Sequence, residues 1–205
     1  MKKVALFALL LSMGAVSSAL AAGGAFGVSG GMAKGTGDLG EATRMGFQAG
    51  AFGEYAIHEQ FAVGVGADYL KMNASDDYKT ALGEAASDLA GVPVTADDVS
   101  FAIIPITAYG RWMPAMQGSV APYVLAGGGL YVYMPDATLS AGGIEVSGAE
   151  TIRKPGFFAG AGVDYKVNPS IRIGVFGKFH DIFTEGSSTM FFHGGLNASF
   201  GVASR

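Results

Sequence analysis

Two histidines near the C-terminal end of the chain have the clearest potential for chemistry. His180 is followed by Asp181, and Glu185 and Ser187 come soon after it, while His193 lies further along the chain. Histidine, serine and a carboxylate are the groups of an acyl hydrolase. Two histidines on facing strands can equally belong to a buried polar network, so the interpretation depends on the elements that carry them.

Those elements are strands, because apolar and other residues alternate with a period of two along most of the chain. Eight segments of about ten residues or more show this pattern, which is the length that a tilted strand needs to cross a bilayer. They cover residues 24–34, 43–56, 61–72, 99–112, 119–133, 156–167, 171–183 and 189–202.

The N-terminus has the features of a secretory signal peptide. Lys2 and Lys3 precede an apolar run over 4–11, and Ala19 and Ala21 supply small residues at a cleavage site. We therefore expect residues 1–21 to be removed and residues 22–205 to form one domain. The run is too short to span a bilayer as a helix.

Composition narrows the function classes further. The mature part carries 11 basic and 17 acidic residues, a net charge of about −6 without basic clusters, so nucleic acid is not an expected partner. The chain has no cysteine, which excludes disulfides and thiolate metal sites. Its 33 glycines are more than twice the usual share of ~7%. An exported, apolar and glycine-rich chain without helical spans is typical of a closed barrel, which pairs every backbone group within the membrane.

In the third, sixth, seventh and eighth segments one face is apolar, whereas the other mixes charges, amides and glycines; the fourth and fifth segments alternate less regularly. Glycine on the inward face suits a narrow barrel, because eight strands leave space only for side chains. Unpaired charges there would be strongly unfavourable, so we expect the inward charges to form a paired network that fills the lumen. The residues predicted for this network are Arg44, Glu54, Asp68, Arg111, Asp164, Lys166, Arg172, Lys178, His180 and His193.

The connections alternate between short and long, as in outer-membrane barrels. Tight turns are predicted at 58–60, 114–118 and 168–170, and longer links at 35–42, 73–98, 134–155 and 184–188. Within the second long link, residues 81–89 have the composition of a short surface helix. Aromatic residues near strand ends predict two girdles at the membrane boundaries. Those near the turns are Tyr55, Phe61, Trp112 and Tyr123, and those near the loops are Tyr69, Tyr131 and Tyr133.

Two prolines interrupt the pattern, Pro105 in the fourth segment and Pro122 in the fifth. Proline has no N–H to donate to a sheet ladder, so we expect each at a bulge or near a strand end.

This pattern resembles the eight-stranded outer-membrane barrel superfamily, which includes OmpA-type transmembrane domains, OmpX and the opacity-type surface proteins. The resemblance covers the whole mature chain and is one of architecture. The segment from Gly194 to Phe200 is similar to the assembly signal of that family, although Gly201 to Arg205 follow the phenylalanine. The resemblance implies an all-β, antiparallel up-and-down transmembrane barrel in the outer membrane. It also implies contact with outer-membrane lipids, lipopolysaccharide and the outer-membrane assembly machinery.

Lipid A deacylases of the PagL type are similar in scale, and they test the hydrolase interpretation. The chain lacks their His-x-Ser-Asn motif, because Gly194 and Gly195 follow His193. We therefore expect no enzymatic activity and no cofactor.

The long loops offer weaker candidates. Six acidic residues and one lysine lie in the second loop, and carboxylates can bind calcium, but the spacing lacks the pattern of a calcium loop. These residues are Asp76, Asp77, Lys79, Glu84, Asp88, Asp97 and Asp98. Lys34, Arg153 and Lys154 lie near loop bases, where they could meet lipopolysaccharide phosphates.

Three functions remain open at this point. The first is a non-enzymatic surface or structural protein whose loops meet the environment or partners. The second is a narrow pore lined by inward charges, since charged linings control ion passage. The third, which the motif disfavours, is a lipid-modifying enzyme that uses His180 or His193.

Overall fold

The computed structural model describes residues 24–115, 118–141, 144–149, 151–184 and 187–201, and the predicted signal peptide lies outside them. Strands dominate the described chain, with two helices in the loops. The strands are β1 (Gly24–Thr36), β2 (Gly46–His58), β3 (Phe61–Asn73), β4 (Thr95–Trp112), β5 (Val120–Ala141), β6 (Ile144–Ala149), β7 (Ile152–Asn168), β8 (Ile171–Thr184) and β9 (Ser187–Gly201). The helices are α1 (Asp38–Ala42) and α2 (Asp76–Ala90).

Eight of these strands close into an antiparallel barrel, which confirms the predicted fold class. With β6 left aside, each strand pairs with the next one along the chain, and β1 pairs with β9 to complete the ring. Paired residues that start at Gly24 run around all eight strands and return to β1 at Lys34, ten residues (34 minus 24) further along. This stagger is the shear that tilts the strands against the barrel axis.

The two ends of the barrel differ, as predicted, although the longer link predicted at 184–188 is wrong, because β8 and β9 remain paired as far as Thr184 and Ser187. At one end, here called the turn end, β2 connects to β3 and β7 connects to β8 through two-residue links, and Ser170 N donates to Asn168 Oδ1 at 2.8 Å. The other end, here called the loop end, carries both helices. The surface helix predicted over 81–89 is confirmed and is longer, because Ser75 caps its first turn by accepting a hydrogen bond from Tyr78 N.

The third long link is more regular than predicted. Residues 134–155 were expected to form a loop, but β5 continues to Ala141 and pairs with β6 between Asp136 and Ala149. On its other edge, β5 remains paired with β4 as far as Ser140 and Thr95. A three-stranded sheet therefore extends from the barrel wall beyond the loop end.

The two prolines fall in different settings. Pro122 is the third residue of β5 and lies beyond the last β4–β5 pair, Trp112 with Val124, so it is near a strand end as predicted. Pro105 lies within β4, and no bulge accompanies it. The β3–β4 pairs stop at Ile106 and resume at Ile103 in the same register, because the missing N–H interrupts the ladder without shifting it.

The outward face is apolar, and its aromatic residues define the two boundaries. Trp112 is exposed at the turn end and Tyr69 near the loop end, as predicted. Tyr123 and Tyr131 are not girdle residues, because both face the lumen and are buried. Tyr133 is half-buried and stacks on Phe101, with the ring centroids 6.0 Å apart.

Inward glycines provide the space for inward tyrosines. A Cβ atom added at Gly64 would meet the ring of Tyr109 on β4, and one at Gly162 would meet the ring of Tyr123 on β5. Gly156 stands in the same relation to Tyr131. Each tyrosine thus lies across a glycine of a neighbouring strand. The need to seat large rings in a narrow lumen accounts for part of the high glycine content.

Candidate functional site: the barrel lumen

A buried ion cluster lies in the lumen near the turn end. Arg111 of β4 donates to both carboxylate oxygens of Glu54 on β2, at 3.1 and 2.9 Å, and also pairs with Asp164 on β7. The guanidinium lies over the ring of Tyr123 at 3.7 Å, and Tyr109 donates a hydrogen bond to Glu54. All three charged side chains are buried, so the cluster joins three strands across the barrel interior. One cation faces two carboxylates, which leaves a formal charge of −1.

A second polar cluster lies further toward the loop end. Asp68 of β3 pairs with Lys178 of β8 at 3.3 Å and accepts hydrogen bonds from Gln48 of β2, at 2.6 Å, and Ser29 of β1, at 3.4 Å. Lys178 also approaches the rings of Phe158 and Phe176. Between the two clusters is a cavity of about 30 Å³, enough for only one or two water molecules.

The two histidines form a hydrogen-bonded chain with Tyr131. His180 Nε2 and His193 Nε2 lie 2.8 Å apart, and His180 Nδ1 lies 2.8 Å from the Tyr131 hydroxyl. That hydroxyl donates to the carbonyl of Phe157, so His180 Nδ1–H donates to the tyrosine and His193 donates to His180. The His180 ring is stacked between Phe158 and Phe191, at 5.1 and 4.5 Å. In the described chain, neither histidine contacts a serine hydroxyl or a carboxylate.

An apolar layer closes the lumen on the loop side of these groups. Its members come from six strands and are almost wholly buried, with Leu70, Met72 and Phe191 fully inaccessible to solvent. The full set is Ala33, Leu70, Met72, Ile103, Tyr131, Ile182 and Phe191, with Leu39 of α1 and Tyr133 packed against it. Dense apolar packing excludes water from this layer.

Three residues predicted for the interior network lie elsewhere. Arg44 precedes β2, is 58% exposed and pairs with Asp76 at the start of α2. Its backbone N–H donates a hydrogen bond to the carbonyl of Asn73, and the regular pairing of β2 begins only after it. The alternation of inward and outward side chains along β2 therefore does not extend to Arg44. Lys166 and Arg172 face each other across β7 and β8 at the turn end, where Lys166 is exposed and Arg172 half-buried. Both residues occupy inward positions in the alternation of their strands, but they lie at the rim of the barrel.

The structure places the other seven predicted residues in the lumen, within the two ion clusters and the histidine chain. The sequence interpretation missed the apolar inward residues and the inward tyrosines 123 and 131. The sequence feature that could have assigned Tyr131 to the lumen is Gly156, which also occupies an inward position and leaves room for an aromatic ring.

No group of three or more histidine, aspartate or glutamate side chains in the described residues could hold a metal ion. The two helices of the described chain are too short or too polar to cross a bilayer.

Several solved structures share this architecture. Neisserial surface protein A is 17% identical over 87% of this chain and 97% of its own, with a TM-score of 0.56. A major outer membrane protein from Thermus thermophilus is 11% identical, with coverages of 87% and 99% and a TM-score of 0.55. Ail, the attachment invasion locus protein of Yersinia pestis, is 14% identical, with coverages of 88% and 99% and a TM-score of 0.50. At these identities the likeness shows the fold alone.

No curated protein matches the sequence. The family model described as the outer membrane protein beta-barrel domain matches residues 5–202. Its match over almost the whole chain agrees with the closed barrel that the structure shows. The protein is therefore an outer-membrane protein and belongs to the outer membrane protein beta-barrel domain family.

Proposed function

We propose that this protein is a non-conducting, non-enzymatic surface protein whose packed lumen rigidifies a platform at the loop end. The apolar layer around Leu70 and Phe191 carries the proposal, because an ion would have to cross it without water or polar partners. The two ion clusters serve as cross-links between strands. The alternative of a narrow pore would need a continuous aqueous path, which the apolar layer interrupts.

The loop end has the rigidity that a binding platform needs. Phe101 and Val99 of β4 form a small core with Ala74, and Leu82 of α2 packs against it. Tyr78 of α2 contacts Phe101 edge to face, with the ring centroids 5.9 Å apart. The helix is thereby fixed against the base of the projecting sheet. We propose that this surface meets the environment or partner molecules, since functional residues in barrels commonly lie on such loops.

Lipids and the assembly machinery complete the proposed set of partners. Arg153 is exposed near the loop end of β7, where a cation can meet lipopolysaccharide phosphates. At the turn end Phe200 of β9 stacks on Phe26 of β1 at 5.4 Å. We propose that the assembly machinery recognises β9 before this strand pairs with β1.

Conductance tests the sealed lumen. In planar bilayers the purified protein is expected to give no steady steps above the empty membrane, because the apolar layer blocks the passage of ions. The matched variant is Tyr131→Ala/Phe191→Ala, which removes two large rings from the layer. After a gel-shift check that it folds, it is expected to show higher leakage. Large, steady steps from the unaltered protein would contradict the proposal.

Lipid A analysis tests the absence of enzymatic activity. Cells that overproduce the protein are expected to keep the acyl-chain masses of control cells, because both His180 and His193 are buried within the lumen and inaccessible to a lipid substrate. Mass spectrometry of extracted lipid A provides the measurement. Acyl chains that are lost with the unaltered protein and retained with His193→Gln would establish the hydrolase instead.

A further inference from the structure

Two opposite charges lie on the outer, lipid-facing wall beside β9. Lys34 of β1 is exposed, and its paired residue on β9 is Phe192, which is 47% exposed. Asp181 of β8 pairs with Phe157 and Met190, and its direct neighbours on the same face, Phe179 and Phe183, are also exposed. The outward side of the barrel therefore carries a lysine on one flank of β9 and an aspartate on the other.

Neither charge finds a counter-ion within the described part of this chain. Lys34 and Asp181 form no ion pair there, and Asp181 Oδ1 is buried without a hydrogen-bond partner. Phe183 lies beyond Asp181 on the same strand, toward the loop end, so apolar surface surrounds the carboxylate on both sides. An unpaired charge flanked by apolar side chains is unfavourable, and ionisable residues on such surfaces commonly mark a contact.

The stagger of the barrel places the two charges at nearly the same height. Asp181 pairs with Met190 on β9, and Met190 pairs in turn with Thr36 on β1, so these three residues form one row across the strands. Thr36 lies two residues beyond Lys34. With strands ~4.8 Å apart and tilted by ~40°, such a row climbs about 3 Å per strand toward the loop end, or about 6 Å from β8 to β1. Moving back two residues along β1 descends about 5 Å. The two Cα atoms therefore differ in height by about 1 Å.

We propose that the wall formed by β8, β9 and β1 is the contact surface of a homodimer, in which Lys34 of each copy pairs with Asp181 of the other. A twofold axis along the membrane normal, beside β9, brings β8 of one copy opposite β1 of its partner at equal height. Such an interface is self-complementary, so both ion pairs form together.

The surface between the charges fits a second barrel. Phe192 projects from it, and Met32 and Leu196 project from the same wall further toward the turn end; these side chains are 47%, 63% and 62% exposed. Gly30 leaves open space beside them, since an added Cβ would find its nearest neighbour at 3.9 Å. Small residues allow membrane-embedded surfaces to approach closely. A lipid phosphate would satisfy Lys34 but repel Asp181, whereas a second copy satisfies both.

Cysteine cross-linking tests the contact surface. The chain has no cysteine, so Phe192→Cys introduces a single thiol close to the proposed axis. Ile106→Cys is the matched control, because Ile106 is also outward and exposed but lies on β4, four strands away around the ring of eight. In isolated outer membranes, Phe192→Cys is expected to form disulfide-linked dimers and Ile106→Cys is not. Absence of dimers at Phe192→Cys, or equal yields at both positions, would overturn the proposal.

Charge exchange tests the ion pair within the Phe192→Cys background. Lys34→Glu and Asp181→Lys each place like charges in contact and are expected to lower the dimer yield about tenfold. The double variant Lys34→Glu/Asp181→Lys exchanges the two signs and is expected to restore it. The heat-dependent gel shift checks that all three variants fold. If Lys34 contacts lipid alone, the single changes leave the yield unaltered, and that result overturns the proposal, as does failure of the double variant to recover.

Discussion

Replacing Arg111 with methionine is expected to destabilise the folded barrel by about 3–5 kcal/mol, because the change leaves two buried carboxylates without their cation. Glu54 and Asp164 are only 6% and 1% exposed, so water cannot replace the guanidinium without opening the lumen. The substitution also removes the contact between the guanidinium and the ring of Tyr123. Urea-induced unfolding in lipid vesicles, followed by the fluorescence of the single tryptophan, Trp112, measures the loss.

The control for Arg111→Met removes all three charges together. Glu54→Gln/Arg111→Met/Asp164→Asn keeps the volume of the cluster while leaving no uncompensated charge, so most of the stability is expected to return. If Arg111→Met alone unfolds at the same urea concentration as the unaltered protein, the cluster does not hold the strands together in the way described.

Replacing Gly195 with alanine is expected to abolish folding of the barrel. The glycine faces the lumen on β9 and is paired with Gly31 of β1, at the seam where the last strand meets the first. A Cβ atom there would meet the backbone of β1, at Gly30 O and at Gly31 Cα. Backbone atoms cannot turn aside as a side chain can, and a closed ring leaves β1 no free edge toward which to shift.

A nearby glycine provides the comparison. Gly30 faces outward on β1, and an added Cβ would have its nearest neighbour, Gln48 O, at 3.9 Å, an ordinary contact. Gly30→Ala is therefore expected to give the compact, heat-modifiable band of a folded barrel on electrophoresis, whereas Gly195→Ala stays at the mobility of the unfolded chain. Folding of Gly195→Ala with normal stability would show that the two strands can separate locally.

Strand number and topology were predictable from the sequence because alternation is imposed by lipid on one side and a narrow lumen on the other. The same constraint placed Asp68, Arg111 and Asp164 on the inward face. The alternation gives no information about residues outside the membrane, because both faces of a strand meet water there. For this reason the extension of β5 to Ala141 and its pairing with β6 were missed.

The errors at the site have a related cause. Around Tyr131 the sequence is apolar on both faces of the strand, so the inward and outward positions could not be told apart. The preference of tyrosine for membrane interfaces then favoured an outward position for Tyr131. Arg44 was predicted to lie within the second strand, but β2 begins two residues later, and the Arg44 guanidinium pairs with Asp76. The apolar layer was missed because inward positions were expected to be polar throughout, whereas near the loop end they are apolar.

The seating of tyrosine rings over glycines has a consequence for how such a chain changes in descent. Tyr109 over Gly64 joins two positions far apart in the gene, and the three atoms nearest to a Cβ added at Gly64 all belong to the tyrosine side chain. A larger residue at the glycine has no room until the ring is shortened, and a shortened ring leaves a void until the glycine is enlarged. The two members of this pair are thus expected to be inherited as a unit, with replacements at one codon accompanied by replacements at the other.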